Sequence, residues 1–130
     1  MKASTAESID TALASVSTAR VGGLVIGNDA FFNSRIAQLA AVTTRLQIPT
    51  VHALRAFAAL GGLMSYGSSI TEGYRLVGSY AGRVLKGEKP AELPVVQTTK
   101  VELVLNLRTA RAFGLDFPLS LIGRADETIE

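Results

Sequence analysis

Apolar residues recur at helical spacing at the amino end, where Ile9, Leu13 and Val16 follow Ser4 and Glu7. A serine three residues ahead of a glutamate fits a capping box, in which each side chain satisfies a free backbone N–H of the other, so the pattern predicts a helix over residues 5–19. The run at 21–26 (VGGLVI) is apolar throughout instead of alternating. It reads as a short strand covered on both faces, as parallel strands are, and Gly27, Asn28 and Asp29 end it. Ile36, Leu39, Thr43 and Leu46 then trace one face of a second helix over 30–47, with Arg35, Gln38 and Arg45 off that face. Pro49 stops it, because the residue before a proline is pushed out of the helical region. Residues 50–54 (TVHAL) form another β-rich run. Strand, helix and strand over 21–54 fill roughly the 30 residues of a right-handed crossover, which predicts an α/β fold with a Rossmann-like parallel sheet.

Residues 56–60 supply no more than a helical turn before Gly61 and Gly62 break it, so a backbone junction falls at 63–67 (LMSYG). Ser69 with Glu72 makes a second capping box, and Ile70, Tyr74, Val77, Ala81 and Val84 step down one helix face until Gly87 supplies the residue beyond the end. Residues 86–94 (KGEKPAELP) read as a loop. Val101, Leu103 and Leu105 alternate with Lys100, Glu102 and Val104 as a half-buried strand. Asn106 caps a short helix ending at Gly114, and Pro118 at the first helical position opens a last helix containing Leu119, Leu121 and Ile122. The acidic tail, Asp126, Glu127 and Glu130, is expected to be solvated or frayed.

Composition narrows the chemistry. With 130 residues, 48% of them apolar and 18% charged, the chain suits one globular domain with a real core. It has no Cys and a single His, which removes disulfides, a thiol nucleophile, a Cys-based zinc site and an imidazole cluster. The net charge of +2 comes from 13 basic and 11 acidic residues spread along the chain, giving nucleic acid no basic patch to bind. The apolar run at 21–26 falls far short of the roughly 18 residues that span a bilayer. At the amino end Lys2 is followed by Ser4, Thr5, Glu7 and Asp10, which do not form the apolar stretch of a signal peptide.

The turn Gly27-Asn28-Asp29 is the informative place, because open parallel sheets bind ligands outside the carboxyl ends of their strands. A carboxylate there suits a ligand ammonium or hydroxyl, with Phe31 or Phe32 as an apolar wall. Asn28 and Asp29 are equally the residue types that cap helices. Gly61-Gly62 with Tyr66-Gly67 reads either as a hinge with an aromatic reaching into a cleft or as a plain turn. His52 inside a strand is a core or edge histidine before it is a catalyst. No G-x-G-x-x-G, no P-loop and no G-x-S-x-G elbow is present, so nucleotide cofactors and nucleophilic hydrolysis lack an anchor. Glu72, Glu88, Glu92 and Glu102 have no second carboxylate placed to form an acid/base pair, and Lys86, Lys89 and Lys100 read as a solvated rim. The expectation is a protein that is not an enzyme and needs no cofactor or metal.

Several runs carry a resemblance: Phe31-Phe32-Asn33-Ser34-Arg35, Gly61-Gly62-Leu63-Met64-Ser65-Tyr66-Gly67, and the helix Tyr74…Gly78…Ala81…Leu85-Lys86-Gly87. Lys89-Pro90-Ala91-Glu92-Leu93-Pro94, Asn106-Leu107-Arg108-Thr109-Ala110…Leu115…Pro118 and Arg124-Ala125-Asp126-Glu127 continue it in order. Together they resemble the carboxy-terminal part of ABC-transporter substrate-binding proteins. The Ile26-Gly27-Asn28-Asp29-Ala30 turn is similar to the ligand-side turn of the wider type I periplasmic binding superfamily.

The resemblance implies two α/β lobes closing on a ligand, of which this chain is an incomplete set. Residues 1–60 would be second-lobe-like, and 61–130 would hold the last crossing between lobes and a segment returning to the first. By this resemblance the ligand-binding residues are Asn28, Asp29, Phe31, Ser65 and Tyr66, the ligand is a small amino-acid-like solute such as an aromatic amino acid, and the partner is an ABC permease. A periplasmic location is implied, whereas a chain without a signal peptide stays in the cytoplasm. Without the first lobe, the stripe Ile70, Tyr74, Val77, Ala81 and Val84 is expected to lie exposed and to favour a homodimer or swapped assembly. The alternative expectation is a truncated, self-associating structural remnant without ligand binding.

Overall fold

The computed structural model describes residues 3–19, 21–96 and 100–130; Lys2 lies outside them. Strands β1 (Leu24–Ile26), β2 (Thr50–His52), β3 (Met64–Ser68), β4 (Val101–Asn106) and β5 (Glu127–Ile129) form one sheet in sequence order. The first three run parallel, β4 runs antiparallel to β3, and β5 is parallel to β4. The expected parallel sheet therefore carries one reversal. Around it stand helices α1 (Ala6–Thr18), α2 (Ala30–Ser34), α3 (Ile36–Arg45), α4 (Arg55–Ala59), α5 (Ile70–Leu85), α6 (Leu107–Ala112) and α7 (Leu119–Ile122), with a 3-10 turn at Pro90–Glu92.

Helix α1 begins as expected, but Thr5 and Ser8 form its capping box, not Ser4 and Glu7: the Thr5 hydroxyl accepts the Ser8 amide at 3.1 Å and the Ser8 hydroxyl accepts the Thr5 amide at 2.9 Å. The helix begins at Ala6, so Thr5, with φ −132° and ψ 160°, takes the cap position and the reciprocal pair shifts one residue along the chain. The helix expected over 30–47 is two helices broken at Arg35, whose φ of −112° and ψ of 20° leave the helical region. It stops before Pro49 acts, because Gln47 takes a left-handed φ of 52° and the Ile48 amide returns to the Thr43 carbonyl. At the second predicted box Ser69 does cap α5, accepting the Glu72 amide at 3.4 Å, but the Glu72 carboxylate turns to Arg75 instead of reaching back. Asn106 caps α6 as predicted, while Pro118 is the cap of α7 and not its first residue.

Two strand expectations change. Only 24–26 of the 21–26 run pairs, and it is covered on one face: Ile26 is buried while Val25 is 78% exposed. β4 is buried continuously from Leu103 to Asn106 instead of alternating, because strands flank it on both sides. The tail is not frayed. Asp126 accepts the Leu103 amide at 2.8 Å, Glu127 receives the Arg55 guanidinium in a two-pronged pair, and β5 adds to β4.

The core joins Ile9 and Leu13 of α1, Ile26 of β1, Leu39, Ala40 and Val42 of α3, and Phe57 of α4. Each fully buried Ile or Leu stabilises by roughly 1.5–3 kcal/mol, so α1 is held by its two core residues more than by helix propensity. α4 ends on Gly61, at φ 102°, with the Gly62 amide returning to the Phe57 carbonyl. A Cβ on Gly62 would run into the Phe57 ring. The Gly61 carbonyl accepts the hydroxyls of Thr44 and Thr109, both at 2.9 Å, so these glycines form a pinned turn. α5 stands apart: none of its residues is buried.

Candidate functional site

Parallel pairing sets the carboxyl ends of β1, β2 and β3 side by side. Ile26, His52 and Ser65 are in register across the three strands, so the segments that follow them share one edge of the sheet. These are Gly27-Asn28-Asp29, Ala53-Leu54 and Tyr66-Gly67-Ser68. Two strand spacings, about 10 Å, separate the first from the third. Sequence reading placed Asn28 and Asp29 at this edge and, by the resemblance, Ser65 and Tyr66 in the last crossing; the register sets the backbones of all four along the same edge.

Their side chains divide. Asn28 and Asp29 are exposed. One Asp29 oxygen accepts the Phe31 backbone amide at 2.8 Å and so caps α2, while the Asn28 side-chain oxygen accepts the Asn33 side-chain Nδ2 at 3.0 Å. These bonds hold the two polar heads in fixed orientation on the edge. Tyr66 is 61% exposed, whereas Ser65 is buried. Successive strand residues point to opposite faces, so Ser65 shares the face of His52 and Phe57 and Tyr66 lies on the other, with Met64 and the Leu103 it pairs with. Phe31 is half-buried against the core, its ring 5.6 Å from that of Phe32.

Two further residues shape this edge. His52 is buried, its ring stacked on Phe57 at 5.6 Å, and its Nδ1 accepts the Leu54 amide at 3.0 Å. Its burial lowers the imidazole's proton affinity below the ordinary value. Arg55, at the start of α4, lies beside a recess of about 280 Å³ that Leu54, Gly67, Ser68, Thr71 and Glu102 also line. The Arg55–Glu127 pair has no local signal, because it joins residues far apart in the chain, whereas His52 takes the core position expected of it and bonds only two residues along. A second, apolar recess of about 200 Å³ lies behind Phe32, against Ile9, Leu13 and Leu24. Among the described residues no cluster of three or more His, Cys, Asp or Glu side chains is placed to hold a metal ion.

The edge offers an exposed carboxylate at Asp29 and an exposed side-chain amide at Asn28, each held by one hydrogen bond, and an exposed phenol at Tyr66, while the nearby recess is lined by Leu54, Arg55, Ser68 and Thr71. It suits recognition of a small polar molecule with an apolar or aromatic part. A family model described as ABC transporter substrate binding protein matches residues 1–129. No curated protein matches the chain. Among solved structures, a conserved domain protein from Vibrio cholerae is similar with a TM-score of 0.84 and 20% identity over 98% of this chain. An ABC domain from Streptococcus pneumonia in complex with L-Trp gives 0.81 and 22% over 96%. The ligand-free, open structure of a substrate-binding protein with adhesive properties from Clostridium difficile gives 0.65 and 18% over 98%. The chain spans 43% of the length of each.

Proposed function

The chain belongs to the ABC transporter substrate-binding protein family, and from that premise we propose that it holds a small amino-acid-like solute at the carboxyl edge of its sheet without making or breaking a bond. The observation that carries this reading is the register of Ile26, His52 and Ser65, which gathers Asn28, Asp29 and Tyr66 along one edge. Asp29 takes the solute ammonium, Asn28 a polar group beside it, and Tyr66 an aromatic or apolar side chain. Ser65 and Phe31 act from behind, shaping the edge that the other three present. The L-Trp complex of the streptococcal protein supports an aromatic amino acid as the class. An ABC permease is the partner and an extracytoplasmic compartment the setting, both on the strength of family membership. No described helix is long and apolar enough to cross a membrane.

A second reading has its own observation. Ile70, Tyr74, Val77 and Leu85 of α5 are all exposed, which favours association with a second copy and supports a self-associating structural role.

Thermal unfolding against L-tryptophan, L-phenylalanine, L-tyrosine and non-aromatic carboxylates tests the first. A ligand at 100 times its Kd adds about 2.7 kcal/mol to the native state. A selective upward shift with an aromatic amino acid is expected, and an unchanged melt with every compound would remove the solute-binding reading in favour of the second.

A further inference from the structure

His52 is the chain's single histidine. It is 1% exposed, at the end of β2, between Ile26 and Ser65. Because Nδ1 accepts the Leu54 amide, the ring is the neutral tautomer with its proton on Nε2. That Nε2 is buried and has no hydrogen-bond partner among the described residues. The same bond fixes the two-residue turn from β2 into α4. Within the turn, Ala53 presses its carbonyl oxygen against Gly67, where any Cβ would collide with it. One ring nitrogen thus sets a turn that touches β3 next to Tyr66.

We infer that His52 is a positioning residue for the ligand-side edge: its neutral imidazole holds the Ala53-Leu54 turn against Gly67, and a proton on Nδ1 releases it. The inference rests on reading that edge as the ligand side. Protonation turns Nδ1 from acceptor to donor, facing the Leu54 N–H with a second N–H. It also places a positive charge in an apolar slot. β1 offers Leu24, Val25 and Ile26 and no charge. β3 offers Ser65, and its only titratable residue, Tyr66, lies on the opposite face. α4 lays Phe57 on the ring, and its one charged residue, Arg55, is held by Glu127. Arg45, the one charge on α3, is exposed. Asp29, beyond β1, is exposed and caps α2. No carboxylate among the described residues is placed to compensate the cation.

The sign follows. Burial lowers the folded-state proton affinity below the unfolded value near 6.5, so the released form binds the proton first. The closed turn is fully favoured above about pH 6.5 and loses ground as pH falls below it, with the open population rising by up to about tenfold per pH unit.

The test is amide hydrogen exchange at Leu54 and Gly67, corrected for intrinsic rates, with the single imidazole followed by NMR over pH 8 to 5. Protection at both amides is expected to be flat above pH 7 and to fall on acidification, with the imidazole an Nε2–H tautomer that titrates below 6.5. His52→Asn, whose side-chain oxygen can replace Nδ1 as acceptor, should keep protection at pH 7.5 and lose the pH dependence. His52→Leu should lose Leu54 protection at every pH. An Nδ1–H tautomer, a midpoint at or above 6.5, or protection independent of pH in the unmodified chain overturns the inference, and that reading survives a variant that fails to fold. The L-tryptophan thermal shift is followed in parallel. Proton-dependent exchange with no ligand response anywhere would sink the ligand reading of the edge and leave the turn's proton dependence standing.

Discussion

The Asp29 carboxylate accepts the Phe31 amide through one oxygen, which leaves a capping role and a binding role compatible in one side chain. A carboxylate offers about four lone-pair positions, and the cap takes one. Asp29→Ala therefore removes both roles, costing about 1 kcal/mol of stability with any ligand response. Asp29→Asn separates them. Asparagine caps as well as aspartate, so the melt should stay within a few tenths of a kcal/mol, while the charge for a ligand ammonium is gone. Parallel melts with and without L-tryptophan read both quantities, and an Asn variant with an undiminished ligand shift would take Asp29 out of the site. At this scale the sequence was legible where residue type dictates one local bond, as at Asn106 and Ser69. It was ambiguous where neighbours compete for the same bond, as Ser4, Thr5 and Ser8 do, and silent where the partner is distant, as for Arg55 with Glu127.

The elements show the same division by reach. α5 was legible from its stripe and its terminal glycine because every determinant is local: Ser69 caps one end and Gly87, at φ 100°, closes the other. The split at Arg35 was not, since nothing in residues 30–47 is a helix breaker and the bend instead lets Phe31, Phe32 and Ile36 reach the same core. β5 was missed for the opposite reason. It has only three residues, two of them polar, and only the unpaired side of β4 makes a strand of them. α5 also carries a local cost, in Gly78 and Gly82, where an added Cβ would meet open space. Glycine in an exposed helix interior is about 0.8–1.0 kcal/mol less favourable than alanine. Gly78→Ala and Gly82→Ala should each stabilise α5 by roughly that amount, seen as increased helical circular dichroism at micromolar concentration. A loss of helicity would mean that the methyl meets something the open space does not reveal.

At the scale of the whole molecule, the sheet keeps α3 and α4 on one face and leaves the other partly open. Val25 stands out from that face, and Met64, Tyr66, Leu103 and Leu121 line a trough of about 630 Å³. α5 adds Tyr74, 74% exposed, and Leu85, 87% exposed. Size decides how much association these surfaces support. Sixteen helical residues make a rod about 24 Å long and 10 Å wide, a footprint of roughly 240 Å², whereas a stable interface takes about 800 Å² from each partner. α5 alone therefore gives a weak, concentration-dependent dimer, and a tight one must also cover the open sheet face. A tight dimer of that kind buries Tyr66 and competes with a solute for it. Sedimentation velocity from about 5 to 500 μM should show the weighted sedimentation coefficient rising with concentration. Val77→Glu, at an exposed α5 position, should hold it at the monomer value without altering the melt. A chain that remains monomeric throughout that range would show that the apolar face does not bind a second copy, and the self-associating reading would lose the observation that supports it.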